Sequence, residues 1–149
     1  MVSRGDGDGW TYCAQGHKHW GIFGAAGLLL RHADRVLLQH RALWSHHGGT
    51  WGSLGGARNR GETAQHTAAR EASEEAGFGA DRYEVVGEHV DDHGGWSYVT
   101  VVGRAAEAFA VPQLTAESLA VDWVSVDRMH DLPLHPGFAA SWPEVREIG

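Results

Sequence analysis

Cysteine is almost missing from this chain of 149 residues. Cys13 stands alone, so no internal disulfide framework can form. Long apolar runs are missing as well. None approaches the ~20 residues that span a bilayer, and the N-terminal MVSRGDGDGW contains no apolar stretch of the kind that opens a secretory signal. There is no surplus of positive charge: 12 Lys and Arg against 19 Asp and Glu leave a formal net charge of −7. Nucleic-acid binding rests on a basic surface, so a polynucleotide is not the expected partner. A small anionic ligand remains compatible, because a metal ion can bridge acid to phosphate. A lysine-bearing phosphate loop and a GxGxxG fingerprint are both lacking, and the glycines of GIFGAAGLLL (21–30) fall in a run that reads as a buried strand. With apolar residues at 42%, the expectation is a soluble, cytoplasmic protein with one ordinary core and no membrane partner.

The chain shows no internal repeat and no dividing linker. Residues 1–19 are polar and glycine-rich and read as a loose arm, with a single domain over 20–149. After the apolar strand, RHAD turns and RVLLQHR (35–41) forms the partner of a hairpin. Residues 42–61, rich in glycine and aromatics, read as loop with one short strand. Thr63 to Ala76 reads as a helix, N-capped by Thr63 and ended by Gly77. Two strands, 83–90 and 96–105, flank the hairpin turn DDHGG. Another strand spans 118–126, followed by a short helix over 126–131 and a C-terminal helix over 136–145. Strands mixed with a few helices predict an α/β domain with helices covering a mixed sheet.

The helix carries the densest charge in the chain, REASEE at 70–75. At 100° per residue Glu71, Glu74 and Glu75 share one face. Ala69, Ala72 and Ala76 are read as the opposite face, small enough to let the helix sit close on a sheet. Like charges at i, i+3 and i+4 cost a few tenths of a kcal/mol per pair when left alone. They become favourable around a divalent cation with hard-oxygen preference, and Mg²⁺ shares its remaining sites with phosphate oxygens.

The spacing around these glutamates is specific: Gly56, five residues, Glu62, seven residues, then Arg70-Glu71-Ala72-Ser73-Glu74-Glu75-Ala76-Gly77-Phe78. It resembles, at every fixed position, the signature of the Nudix hydrolases, the MutT-like family. The VLLQHR strand, the WGSLGG approach, DWVSVD and LPLHPGF resemble the family more weakly. The resemblance implies an α/β/α sandwich and Mg²⁺- or Mn²⁺-dependent hydrolysis of a nucleoside diphosphate linked to another moiety. The substrate would be a nucleoside triphosphate, including oxidised ones, or a nucleotide sugar or dinucleotide-like compound. Glu71, Glu74 and Glu75 would hold metal, with the Gly55 carbonyl as a further ligand. Arg70 would pair with Glu62 and fix the loop of Gly56 against the helix that Gly77 ends. Family members differ in the general base: some use a glutamate of the box, here Glu71 or Glu74, and others an acid from a loop outside it. Outside the box Glu117 is the preferred acid, as base or metal ligand, with Glu107 and Asp122 as competitors. The resemblance also allows a homodimer. Two positions depart from many relatives: Leu54 stands where proline is common, and Asn59 where a glutamate is common.

A different function class stays open on sequence alone, a nucleotide-binding sensor without turnover, although an intact box favours the enzyme. Isoprenoid diphosphate isomerisation is disfavoured, since the one cysteine lies in the arm. Cys13, His17 and His19 are borderline zinc ligands within seven residues, but no fourth ligand or matching knuckle follows them. Among the 11 histidines, His46 and His47 read as exposed loop residues near a phosphate entrance. Trp20, Trp51 and Trp96 read as core, with base stacking as their functional alternative.

Overall fold

The computed structural model describes residues 5–149. β3 (Ala25–His32) and β4 (Arg35–Arg41) form the hairpin expected from the sequence, turning at Ala33 with φ 51°. β5 (Trp51–Gly52) and β6 (Leu54–Ala57) follow. α1 spans Ala64–Ala76, β7 Tyr83–Asp92, β8 Ser97–Ala105, β9 Ser118–Ser125 and α2 Pro136–Val145. A 3₁₀ turn covers Val126–Asp131.

The seven-stranded mixed sheet runs β5-β4-β3-β8-β7, with β6 added to β3 and β9 to β4. β3 is its axis. It pairs in parallel with β8 along its length, antiparallel with β6 over its first half and antiparallel with β4 at its end. Leu28 and Leu30 point to one face and Leu29 to the other, and all three are essentially inaccessible. A strand covered on both faces reads as a continuous apolar run instead of an alternating one, as GIFGAAGLLL does. On one side Leu28, Leu30, Leu54, Val99 and Val101 pack with the alanines of α1 and with Phe78. On the other, Leu29, Val36, Leu38 and Val102 pack with Met129, Phe138 and Val145. The result is the expected α/β/α sandwich.

Two expectations need correction. Of the three alanines read as the packing face, Ala72 and Ala76 do seat the helix, but they do not face away from all the glutamates. The buried stripe of α1 is Ala64, Thr67, Ala68, Glu71, Ala72, Glu75 and Ala76, so two glutamates lie on the same arc as the alanines, turned toward the sheet. Ala69, expected on the packing face, is only partly buried. Nor is the described part of 1–19 a loose arm. β1 (Trp10–Tyr12) and β2 (Lys18–Trp20) pair antiparallel with Trp10 opposite Trp20. The segment is tied down by backbone bonds, Gly21 N–H to the Gly9 carbonyl at 2.7 Å and Ala14 N–H to the Gly94 carbonyl at 2.7 Å. Asn59, one of the two departures, helps: its side-chain oxygen accepts from Gly7 N–H, while Arg60 N–H donates to Asp6.

Candidate active site

α1 begins where Thr63 accepts a bond from His66 N–H and ends at Gly77, whose φ of 79° is the left-handed cap. Gly77 N–H donates to the carbonyls of Ala72 and Ser73. Between these caps the helix delivers Arg70, Glu71, Glu74 and Glu75 against β6 and β3.

Arg70 organises the loop. Its Nε and Nη2 donate to the two oxygens of Glu62, each at 2.9 Å, and Nη2 also donates to the Ala57 carbonyl at 2.9 Å. Glu62 further accepts from Asn59 N–H and from the Thr67 hydroxyl. The Arg70 guanidinium is the main reason that the Glu62 carboxyl falls to about 2. Nη1 of Arg70 turns to the other side, to Glu71 at 3.0 Å and Glu74 at 3.6 Å.

Gly56 explains how Glu71 reaches its place. A Cβ at residue 56 would stand 2.5 Å from the Glu71 carboxylate, so only glycine leaves the room. Gly55 is equally constrained, since a Cβ there would meet the Tyr98 hydroxyl and the Ala26 carbonyl. Burial pushes Glu71 up to about 7; Arg70 opposes this, and the charges of Glu74 and Glu117 add to it. Glu75 is completely enclosed, and burial followed by the Glu71 and Glu117 charges raises its pKa far above the carboxylate range. One of its oxygens accepts from Gln39 Nε2 at 2.9 Å, and the other, Oε1, is buried with no partner in the protein. Gln39 Nε2 also donates to Ser118 at 2.7 Å. Glu117, immediately before β9, is half-buried. Burial raises its pKa, Arg41 lowers it and Glu74 raises it.

The four candidate carboxylates, Glu71, Glu74, Glu75 and Glu117, are thus brought within electrostatic reach of one another, from a helix and from a strand end far away in sequence. Glu107 is not part of the group: it pairs at 3.5 Å with Arg82. Asp122 is exposed on β9 opposite Leu38.

Several neighbours escaped the sequence reading. Gln39 and Ser118 bracket Glu75. Tyr98, held at 3.0 Å from the Ser53 hydroxyl and pushed up to about 12 by burial, stands beside Glu75 and Glu71. Arg41 is the cation that faces Glu117, with its Nε on the His46 carbonyl at 3.0 Å. His135 is driven down to about 4 by burial and then by Arg41, and its ring meets His47 at 4.6 Å. The only available signal was local, since Arg41 and Gln39 lie in VLLQHR. His46 and His47 are exposed loop residues, as expected. Two of the three tryptophans already have a face covered: Trp51 by His40 at 4.4 Å and Trp96 by His19 at 3.9 Å. Trp20 is 40% exposed.

The donor set suits a hard divalent cation. It consists of carboxylates clustered at a glycine-thinned strand, three of them raised in pKa, and one buried oxygen without a hydrogen-bond donor. Among the described residues no helix is long and apolar enough to cross a membrane.

Comparison with known proteins identifies the family of the chain. The family model described as NUDIX domain matches residues 22–144. A Mycobacterium tuberculosis protein named "Putative 8-oxo-dGTP diphosphatase 3" is 53% identical over 158 aligned positions, covering 96% of this chain and 70% of the relative. A Bifidobacterium longum nucleoside triphosphate pyrophosphatase/Nudix hydrolase fusion protein is 42% identical over 92% of this chain, which spans 30% of that protein. The crystal structure of RenU, a Nudix hydrolase from M. smegmatis, superposes with a TM-score of 0.88 at 47% identity, covering 95% of this chain and 94% of that one.

Proposed function

This chain belongs to the Nudix hydrolase family and is a pyrophosphohydrolase of nucleotide substrates, and we propose that its substrate is a nucleoside triphosphate with an oxidised purine, cleaved with Mg²⁺ or Mn²⁺. The observation that carries the chemistry is the buried carboxylate group, above all the partnerless Oε1 of Glu75. The purine assignment is supported by the description of the M. tuberculosis relative.

In this reading Glu71, Glu74 and Glu75 would hold the cation, with the Gly55 carbonyl as a further ligand. When bound, the cation neutralises the diphosphate and lowers the cost of charge build-up at phosphorus. The protein's own groups do the rest. Arg70 draws Glu62, the Ala57 carbonyl and Glu71 into one frame, so that loop and helix keep their geometry. Gln39 orients Glu75 through one oxygen and leaves the other for the ligand. Glu117, raised above its ordinary pKa by burial, is suited to take the proton of an attacking water. Arg41, facing it, supplies positive charge for the substrate's phosphates. In this reading water attacks one phosphorus in line with the bridging oxygen, whose bond to that phosphorus breaks, and the two products are a nucleotide and a phosphate or pyrophosphate fragment.

A release assay tests this reading. The panel contains canonical and oxidised nucleoside triphosphates, nucleotide sugars, ADP-ribose and dinucleoside polyphosphates, each with Mg²⁺, Mn²⁺ or EDTA. Metal-dependent turnover favouring 8-oxo-dGTP over dGTP is expected, with activity rising toward alkaline pH. A preference for nucleotide sugars would overturn the substrate class. Tight nucleotide binding without turnover would overturn the enzyme in favour of a sensor. Glu117→Gln separates two roles: loss of the acid limb of the pH profile marks a proton acceptor, and a rise in the metal concentration needed marks a ligand.

A further inference from the structure

The N-terminal hairpin ends in a tight turn. Cys13 N–H donates to the His17 carbonyl at 3.0 Å and Gly16 N–H to the Cys13 carbonyl at 2.9 Å. The turn lies against a second turn, between β7 and β8. Ala14 N–H reaches the Gly94 carbonyl at 2.7 Å, and a Cβ on Gly94 would touch Ala14. This abutment brings three soft or borderline donors together. Cys13, buried and unpaired, His19 on β2 and His93 in the β7–β8 turn present ligand atoms that all lie within 4.8 Å of one another.

Each of the three is held in place. His19 stacks on Trp96 with ring centres 3.9 Å apart and planes 7° apart. Trp96 is itself fixed by Nε1 donating to the Gly21 carbonyl at 3.0 Å. The His93 ring stands edge-on to His19 at 4.8 Å, and Asp91 lies 2.9 Å from its Nε2. Yet Nε2 of His19 is buried without a hydrogen-bond partner. An orphaned ring nitrogen beside a buried thiol is costly for a protein interior unless something else binds there. His17, the third member of the Cys13-His17-His19 run, is exposed and outside the group; its place is taken by His93, far along the chain.

We propose that Cys13, His19 and His93 form a zinc site that fastens the N-terminal hairpin to the β7–β8 turn, separate from the glutamate cluster. One thiolate and two imidazoles are the donors that select Zn²⁺ over Mg²⁺. Asp91 next to His93 is the carboxylate that sets the tautomer of a ligating ring, and solvent completes the fourth position. Tetrahedral ligation at about 2.0–2.3 Å draws donors to within roughly 3.3–3.8 Å of each other. Side-chain rotation of about 1 Å therefore closes the observed group. The thiol proton leaves to solvent on binding.

The full chain, stripped with EDTA and titrated with Co²⁺ and then Zn²⁺, tests this. Because Cys13 is the one thiol in the sequence, a sulfur-to-cobalt charge-transfer band reports this site alone, whatever the glutamates bind. One equivalent of Co²⁺ is expected to give that band with tetrahedral d–d intensity, and Zn²⁺ to erase it. His19→Gln and His93→Gln should each weaken binding at least ~100-fold, while His17→Gln leaves it unchanged. No band at saturating Co²⁺ in the unaltered protein overturns the proposal without reliance on any variant folding. So does a band that survives in the folded His19→Gln/His93→Gln double variant, or one that appears only as two chains share one ion in sedimentation.

Discussion

Glu62 and Glu71 touch the same arginine and end with opposite acidities. Glu62 collects four donors, two from Arg70, one from Asn59 N–H and one from Thr67, and its carboxyl falls to about 2. Glu71 receives one bond from Arg70, sits deeper, and shares its surroundings with Glu74 and Glu117, so burial lifts it to about 7. The first carboxylate is finished by the protein. The second, with Glu75 beside it, needs positive charge from outside the polypeptide. The difference separates a structural ion pair from a binding site more sharply than counting charges does, because both regions are rich in glutamate.

The largest expected effect falls on the unfinished side. Glu74→Gln should lower turnover by about 10³-fold or more while circular dichroism stays unchanged, since a neutral amide is a poor ligand for a hard cation. Near-normal, still metal-dependent turnover would break the distinction. On the finished side, Arg70→Ala should cost about 2–4 kcal/mol in urea unfolding, because it strands a largely buried Glu62 and releases the Ala57 carbonyl. A loss below ~1 kcal/mol would return the pair to the class of surface salt bridges.

Glu75→Gln sharpens the contrast by sign. In EDTA at pH 8 the variant should be more stable than the parent, by ~1 kcal/mol, because a neutral amide does not carry the penalty that burial places on a carboxyl at that pH and keeps an acceptor for Gln39. Mg²⁺ should raise the melting temperature of the parent and barely move the variant. A variant less stable than the parent in EDTA would contradict the electrostatic account.

The smallest effect is on the pH dependence of metal-free stability, and the two regions pull in opposite directions. Glu62 has a folded pKa below its ordinary 4.5, so its contribution is complete above pH 4.5 and is lost as pH falls toward about 2. Glu71 has a folded pKa above 4.5, so the folded state holds the proton more tightly and stability drops as pH rises from 4.5 to about 7. Denaturant titrations in EDTA should therefore show a maximum near the ordinary carboxylate pKa, with Mg²⁺ flattening the upper limb. A curve that rises steadily to pH 8 without metal would reverse the assignment of Glu71.

Local patterns carried much of this molecule. Thr63, Gly77 and the apolar 21–30 run each state their structure through neighbours a few residues away, and the box spacing names the helix that bears the glutamates. What was hidden depends on distant parts of the chain. The turn of α1 onto the sheet with Glu71 and Glu75 inward follows from the space left by Gly56, which no helical projection contains. Gln39 and Ser118 become partners of Glu75 only because β4 and β9 pair. His93 joins Cys13 and His19 only because two turns abut. Glycine and polarity in 1–19 looked like slack chain, whereas Gly7 serves a close approach to the Arg58 backbone and the Gly9 carbonyl accepts from Gly21 N–H.

The parallel register of β3 with β8 also sets a timetable. Ala25 waits for Tyr98 and Arg31 for Arg104, partners about 70 residues later in the chain. At a synthesis rate of roughly 5–20 residues per second, the sheet's axis stays open for about 4–14 s after β3 is made. During that interval α1 has emerged with its like charges and has no completed sheet to lie on. A nascent chain in that state exposes the Leu28–Leu30 edge to neighbours, so slow translation through 83–97 should favour aggregation of ribosome-bound chains over folding.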